Sequence, residues 1–336
     1  MTKRNLMILL LAAMMLFSSC AAQPPAQAAA EKTTATGFYF DTVVTFTLYG
    51  APEGMMDELL AECARYERML SKTIDGSDVS RMNAAGGETV TVDAETWNIL
   101  ARAKEISALT GQTFCVTIAP LTALWDFTGG TNRMPTEQQR LDNLPLVDDE
   151  ALILGEGNTV TLKPGMQIEL GGIAKGYIAD RLADKVRGKV VGAILNFGGN
   201  VYAVGCKPEG AAFRVGVRDP KGSASDFVAI VDVTDKTVVT SGTYERFFVV
   251  DGVTYHHILD PKDGLPARSD LAGATIVGES SMDADALATA CIVLGREKAL
   301  AMLNENGFDG ILIDTDGNIF MTDGLQSKYP VVLMKP

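Results

Sequence analysis

The sequence predicts an α+β fold, in which antiparallel β-sheets with hairpins pack against several helices. From Val190 to Tyr255 short alternating segments are joined by glycine turns, which is typical of strands that pair with their neighbours along the chain. Stretches with apolar residues at helical spacing stand apart from these strands, without the regular strand–helix alternation of a parallel sheet.

In the first half of the chain we predict one strand and two helices. Phe38–Leu48 alternates as a strand, and Asp57–Leu70 has its apolar residues at helical spacing. A polar loop is expected through Asn83–Gly87. Asp93 is a good N-cap for a helix that runs to about Leu109.

In the second half, hairpins alternate with helices. Gly129–Leu146 is expected to be rich in loops, and a helix is expected to start near Ile173. The Asp-Gly turn after Val250 is the strongest hairpin signal. The predicted hairpins are Thr159–Leu162 with Met166–Leu170, Arg246–Val250 with Val253–Tyr255, and Ile311–Asp314 with Asn318–Met321. Further helices are predicted from Asp283 and over Glu297–Asn306.

Composition indicates a globular, acidic chain. Its 336 residues are 47% hydrophobic and 21% charged, which is enough apolar material for a core. The formal net charge is −13. Phosphate-backbone binding needs a surplus of lysine and arginine, so nucleic acid is not expected as a partner, whereas divalent cations suit this charge. Cys63, Cys115, Cys206 and Cys291 are scattered, and we expect free thiols rather than disulfides.

The N-terminus predicts export and lipid anchoring. Lys3 and Arg4 precede the apolar run Leu6–Phe17, which is too short for a transmembrane helix. The run leads into Leu-Phe-Ser-Ser-Cys ending at Cys20, which resembles a bacterial lipobox, a signal in which the cysteine is lipidated. An ordinary cleaved signal with a chance cysteine is the alternative.

The chain therefore divides into three predicted parts. Residues 1–19 are a lipoprotein signal peptide, residues 20–37 a flexible tether, and residues 38–336 the folded domain, with no further boundary evident. We expect an exported protein on the outer, periplasm-facing side of a bacterial cell membrane. It would contact the membrane through the lipid anchor alone.

Two segments carry candidate chemistry around a helix start. In Glu169–Tyr177 a strand is followed by two glycines and a helix, flanked by Glu169 and Lys175, and the free N–H groups of such a turn favour anions. In the second segment Asp285 and Thr289 are four residues apart and share a helix face, so they can offer two hard oxygens to Mg²⁺ or Ca²⁺. Each segment alone is also compatible with a purely structural role.

Both histidines of the chain are adjacent, at His256 and His257. Successive residues of a strand face opposite sides, so only one of them can point into a given site. One histidine could serve as a general base or phosphate hydrogen-bond partner, and a structural role is the alternative for either.

Taken together, the segments resemble the ApbE family of FAD:protein FMN transferases from bacterial envelopes. The resemblance extends from about Phe40 to Leu333. Its motifs are Asp41-Thr42, Ser80–Asn83, Ala119-Pro120-Leu121 with Trp125, Glu169–Tyr177, Asn196–Asn200, Thr240-Ser241-Gly242, His257–Pro261 and Met282–Thr289. Each is weak alone, but their order behind a lipobox is specific.

The resemblance implies a T-fold-related, ApbE-like domain that moves FMN from FAD to a Ser or Thr hydroxyl of a partner protein and releases AMP. It implies a divalent metal, Mg²⁺ or alternatively Ca²⁺ or Mn²⁺, held by Asp285, Thr289 and the backbone carbonyl of Gly172. Asp285 and His257 would be the catalytic residues. The implied FAD contacts are Asn83, Thr113, Phe114, Cys115, Glu169, Lys175 and His257. The implied acceptor is a flavoprotein of an envelope electron-transport complex.

One position departs from the family pattern. After Phe114 many relatives carry an aspartate where this chain has Cys115, so a polar contact near the flavin is expected to be missing. Two other functions stay open at this point: an FAD pyrophosphatase that yields FMN and AMP, and a non-catalytic flavin-binding lipoprotein.

Overall fold

The computed structural model describes residues 30–127 and 129–334. Its strands are β1 Lys32–Tyr39, β2 Thr42–Tyr49, β3 Thr89–Thr91, β4 Ile153–Gly155, β5 Thr159–Thr161, β6 Gly192–Phe197, β7 Asn200–Gly205, β8 Phe213–Arg218, β9 Phe227–Val233, β10 Lys236–Gly242, β11 Phe247–Val250, β12 Val253–His256, β13 Leu271–Gly278, β14 Asp309–Asp314, β15 Ile319–Met321 and β16 Val331–Leu333. Its α-helices are α1 Met55–Leu70, α2 Asp78–Ala84, α3 Ala94–Leu109, α4 Ala119–Thr122, α5 Glu137–Asn143, α6 Ala174–Val186, α7 Ser281–Leu294, α8 Arg296–Glu305 and α9 Leu325–Lys328.

An eight-stranded antiparallel sheet organises the molecule, in the order β1-β2-β6-β7-β10-β13-β14-β15. Helices α6 and α7 lie side by side on one face of its central strands, and the main hydrophobic core is between the helices and the sheet. On the other face a three-stranded sheet, β16-β9-β8, closes a second core. The expected α+β class with antiparallel sheets is confirmed.

The elements with strong local signals form as the sequence predicts. The Asp93 side chain accepts a hydrogen bond from the amide of Glu95 at 2.8 Å and begins α3, which ends at Leu109. The Asp-Gly hairpin forms as β11 and β12, with Asp251 at a φ of 51°. Hairpin β14–β15 and helices α1, α6 and α8 also form where they are expected, to within two residues at most boundaries.

The N-terminal boundary of the domain is corrected by the structure. The tether expected over residues 20–37 ends before Lys32, because β1 pairs with β2 along its full length. The single strand expected over Phe38–Leu48 is instead split by a two-residue turn at Phe40 and Asp41, both with a φ of 55°. None of the β1 side chains is fully buried, so this edge strand has no hydrophobic signal.

Three further expectations are corrected. The polar loop expected to run through Asn83 contains helix α2, which starts after Ser77, whose side chain accepts from the Ser80 amide. Strand β5 pairs with β3 and β4, not with residues 166–170, which form no strand. The stretch 129–146 contains α5, begun by a capping box of Thr136 and Gln139.

Two observations bear on the membrane and on the cysteines. Within residues 30–127 and 129–334, no helix combines the length and the apolar character needed to span a bilayer. In the same part of the chain the four cysteines are free thiols, as expected. The predicted signal peptide and Cys20 lie outside the described residues.

Candidate active site

The candidate site lies where the start of α6 crosses α7. The crossing is very close, because a Cβ atom on Gly176 would come 2.1 Å from the carbonyl oxygen of Ser281. Asp180, one turn further along α6, accepts hydrogen bonds from the amides of Ser281 and Met282 at 2.7 and 3.0 Å. Burial raises the pKa of Asp180 to about 7. These contacts fix the first turn of α7 against α6.

Asp285 projects from α7 into this crossing. Its side chain is buried, and Oδ2 accepts the amide hydrogen of Gly176 at 3.1 Å. Oδ1 lies 3.7 Å from Nζ of Lys175. Asp283, the alternative helix-start carboxylate, instead pairs with Arg102 of α3 at 2.8 Å, while Ser280 caps the helix. Asp285 is therefore the α7 carboxylate that points to the Gly-Gly turn.

Thr289 lies one turn after Asp285 on the same face of α7. Its hydroxyl donates to the Asp285 carbonyl at 3.2 Å and is 3.4 Å from the Ser241 hydroxyl at the end of β10. A Cβ on Gly172 would lie 3.5 Å from this hydroxyl and 3.2 Å from the Phe114 ring. Thr289, Gly172 and Phe114 thus meet at one place, as a shared site requires.

Glu169 lies before the Gly-Gly turn in the chain, whereas α6 follows the turn. Its Oε2 accepts a hydrogen bond from the Thr122 hydroxyl at 2.8 Å and forms an ion pair with Lys72. Lys72, its ammonium partner, lines a cavity of about 370 Å³. The Lys72 ammonium is therefore positioned to contact a polar ligand that enters this cavity.

Asn83 lines the same cavity, but both ends of its amide are already used. Nδ2 donates to the Ile168 carbonyl at 2.9 Å, and Oδ1 accepts the Ile168 amide at 2.7 Å. The side chain therefore acts as a strand partner for residues 166–170 and holds Glu169 in place. A direct FAD contact by Asn83 stays a prediction.

The two histidines differ in environment. His256 is buried, with Nε2 3.0 Å from the Ala267 carbonyl oxygen, whereas His257 is half-buried and donates its backbone amide to the Arg246 carbonyl at 3.0 Å. Burial, and next the charge of Arg246, lower the pKa of His257 to about 4; Lys175 contributes in the same direction. His257 is therefore neutral at physiological pH and lies within the field of the site's lysine.

In the segment Thr113–Cys115, Phe114 contacts the site, but the side chains of Thr113 and Cys115 bond to nearby backbone carbonyl groups instead. The Thr113 hydroxyl donates to the Thr110 carbonyl at 2.9 Å. The Cys115 thiol is buried, donates to the Gln112 carbonyl at 3.3 Å, and has a pKa raised to about 12, chiefly by burial and then by the charge of Asp149. Nothing in these contacts places Cys115 at a flavin.

Several residues of the site have contacts that their local sequence does not indicate. Lys72 is a common polar residue in an unremarkable position, and its partner Glu169 is distant in the chain. Ser241 belongs to the Thr240-Ser241-Gly242 motif of the resemblance, but its contact with the distant Thr289 has no local signal. Gly176 follows the Gly-Gly turn, and a glycine in the first turn of a helix is compatible with a close crossing of α6 and α7. Asp180 is a half-buried carboxylate of α6, and nothing in the local sequence indicates that it accepts the amides that begin α7.

The donor set suits a hard cation. Among the described residues no three His, Cys, Asp or Glu side chains cluster as metal ligands. Lys175 nevertheless contacts both Oδ1 of Asp285 and the carbonyl oxygen of Gly171 in the Gly-Gly turn, and the Thr289 hydroxyl lies next to Gly172. One carboxylate with hydroxyl and carbonyl oxygens is a ligand set that Mg²⁺ or Ca²⁺ accepts.

Solved structures with the same fold are named as ApbE proteins. The ApbE protein of Thermotoga maritima superimposes with a TM-score of 0.82 at 32% identity, covering 87% of this chain and 97% of that one. The flavinyl transferase ApbE of Pseudomonas stutzeri does so with a TM-score of 0.78 at 28% identity, covering 88% and 96%.

Curated relatives carry the same activity in their names. The FAD:protein FMN transferase of Treponema pallidum is 35% identical over 295 residues, which is 82% of each chain. That of Klebsiella pneumoniae is 33% identical over 291 residues, 85% of this chain and 90% of its own. The fold and the site therefore define the class of this protein as a flavin transferase. The ApbE family model matches residues 40–318, and the chain belongs to the ApbE family.

Proposed function

We propose that the chain is an FAD:protein FMN transferase. It would move the FMN part of FAD to a Ser or Thr hydroxyl of a partner protein, forming a phosphoester bond, breaking the phosphoanhydride and releasing AMP. The observation that carries the proposal is the convergence of Asp285, Thr289 and Lys175 at the start of α6, within a fold whose similar proteins are named for this reaction.

The main requirement of this reaction is to neutralise the negative charge of the FAD diphosphate. The helix-start amides of α6 and the ammonium of Lys175 would bind the diphosphate, because both favour anions. We propose that Asp285, Thr289 and the Gly172 carbonyl hold Mg²⁺, with Ca²⁺ or Mn²⁺ as alternatives. Such a cation, when bound, would supply neutralisation of the charge that develops on the diphosphate.

We propose that His257 is the general base that accepts the proton of the acceptor hydroxyl. Its ring is neutral at physiological pH, and its Nδ1 is buried with no hydrogen-bond partner among the described atoms. The diphosphate of FAD would add negative charge near the ring and raise its pKa, which improves it as a base during the reaction. The ion pair of Glu169 and Lys72 would orient the flavin-bearing end beside the cavity.

The acceptor and the location of the enzyme are also proposals. The lipobox-like signal ending at Cys20 supports an exported lipoprotein, held at the outer face of a bacterial cell membrane by its lipid. An acceptor flavoprotein of an envelope electron-transport complex would be accessible from that position.

The proposal is tested by incubating the purified protein with FAD, Mg²⁺ and a candidate acceptor, then weighing both the acceptor and the nucleotides. Acceptor that gains the mass of one FMN group, with one AMP for each group transferred, supports the transferase. FMN and AMP with unmodified acceptor would indicate an FAD pyrophosphatase, because water then replaces the hydroxyl. Intact FAD would indicate a binding protein without catalysis.

A further inference from the structure

The ammonium group of Lys175 lies among the oxygens of the candidate metal site. Its Nζ donates to the carbonyl oxygen of Gly171 at 2.9 Å and lies 3.7 Å from Oδ1 of Asp285. The side chain starts in the first turn of α6 and folds back over the Gly-Gly turn that precedes this helix. The ammonium therefore contacts the kinds of oxygen that a hard divalent cation binds.

The two oxygens of Asp285 have different partners. Oδ2 accepts the backbone amide of Gly176, a contact that any cation at Oδ1 leaves intact. Oδ1 faces Lys175, and the side chain is only 4% exposed. A buried carboxylate without a counter-charge is strongly destabilising, so this oxygen needs a positive partner at all times. A lysine and a divalent cation cannot both fill that role, because like charges about 4 Å apart repel.

We propose that Lys175 and the divalent cation compete for Oδ1 of Asp285. The ammonium neutralises the carboxylate until the cation binds, and the cation then releases it toward the diphosphate of FAD. Lysine suits this exchange because its charge is at the end of a flexible four-carbon chain and moves without a change in the backbone. The inference rests on the metal site of the proposed function, but it concerns binding alone.

Competition predicts opposite effects of one substitution on two ligands. Lys175→Met removes the competing charge, so the FAD-free protein should bind Mn²⁺ roughly tenfold more tightly, which corresponds to one hydrogen bond to a charged group. The same variant should bind FAD more weakly, because the diphosphate loses a cation. A lysine that serves only as an FAD contact would change FAD binding and leave metal binding unaltered.

The experiment measures Mn²⁺ binding to the FAD-free full chain by electron paramagnetic resonance of the free ion. Asp285→Asn identifies the site, since it should abolish the binding. Lys72→Met is the matched control: it removes the same charge at the neighbouring ion pair with Glu169, and should leave the Mn²⁺ affinity within about twofold. Lys175→Gln, which keeps a polar side chain, replaces the methionine variant if that variant does not fold.

Tighter Mn²⁺ binding by the Lys175 variant, with Lys72→Met unchanged, supports competition. Equal or weaker binding overturns it, and so does an equal gain in both variants, which would indicate only a general effect of net charge. Absence of Mn²⁺ binding in both wild type and Lys175→Met also overturns it. Flavin transfer to an acceptor is measured separately, so a failure of the competition is distinguishable from a failure of the proposed activity.

Discussion

Replacing Gly176 by alanine should force α6 and α7 apart and displace Asp285. The added Cβ would lie 2.1 Å from the Ser281 carbonyl oxygen and 2.7 Å from Cα of Met282. Both are backbone atoms, so no side-chain rotation relieves the clash and the whole start of α7 must shift. Overpacking of this kind costs about 1–3 kcal/mol, and loss of the Gly176 amide bond to the carboxylate about 1.5–3 kcal/mol more.

Thermal unfolding measures this loss. A total of roughly 2.5–6 kcal/mol corresponds to a fall in Tm on the order of 10 °C for a domain of this size. The Mn²⁺ affinity should fall as well, because Asp285 moves with α7. Gly278→Ala is the control, since no heavy atom lies within 4 Å of a Cβ at that position, and its Tm should stay close to that of wild type. A Gly176→Ala protein with wild-type Tm and Mn²⁺ affinity would refute the reasoning.

The remaining predictions concern the histidines and two cysteines. His257→Ala should slow transfer by about 10²–10⁴-fold, as loss of a general base does, whereas His256→Ala should mainly lower the Tm; equal losses of transfer would indicate structural damage to the hairpin. The neutral His257 ring is the active form, and its pKa is about 4 before substrate binds. The value of kcat/KM for FAD should therefore be level near neutral pH and fall only as the pH drops toward about 4. A fall already centred near pH 6.5, the ordinary pKa of histidine, would contradict the burial of His257. Cys115→Asp should lower the Tm without improving the KM for FAD, because the new carboxylate would be buried near Asp149; a lower KM would restore the flavin contact as an explanation. Cys20→Ser should move the protein from membranes to the soluble fraction of a bacterial host, and wild type found in the soluble fraction would contradict the anchor.

The sequence was most informative where local chemistry decides the structure. Asp93 caps α3 through its own side chain, and the Asp251-Gly252 turn closes its hairpin with the positive φ that such a turn needs. It was least informative where a distant residue supplies the partner. Residues 166–170 alternate like a strand, yet Asn83 and the Val116 carbonyl meet the Ile168 and Glu169 amides in place of a strand.

The candidate site shows the same division. Asp285 and Thr289 were predictable as a pair, because four residues on a helix place two side chains on one face. Their approach to the Gly-Gly turn depends on the crossing at Gly176, a tertiary contact between segments 109 residues apart. At Cys115 the resemblance implies a flavin contact, which stays a prediction, and the structure adds that the thiol is buried and donates to the Gln112 carbonyl.

The mass of an acceptor protein after incubation with FAD and Mg²⁺ tests the central claim most directly. The account predicts that wild type adds one FMN group to a Ser or Thr of the acceptor and releases one AMP. It predicts that Asp285→Ala, with its fold verified by circular dichroism, does so slower by orders of magnitude. An unmodified acceptor beside free FMN and AMP, or an Asp285→Ala protein with wild-type turnover at limiting Mg²⁺, would contradict it.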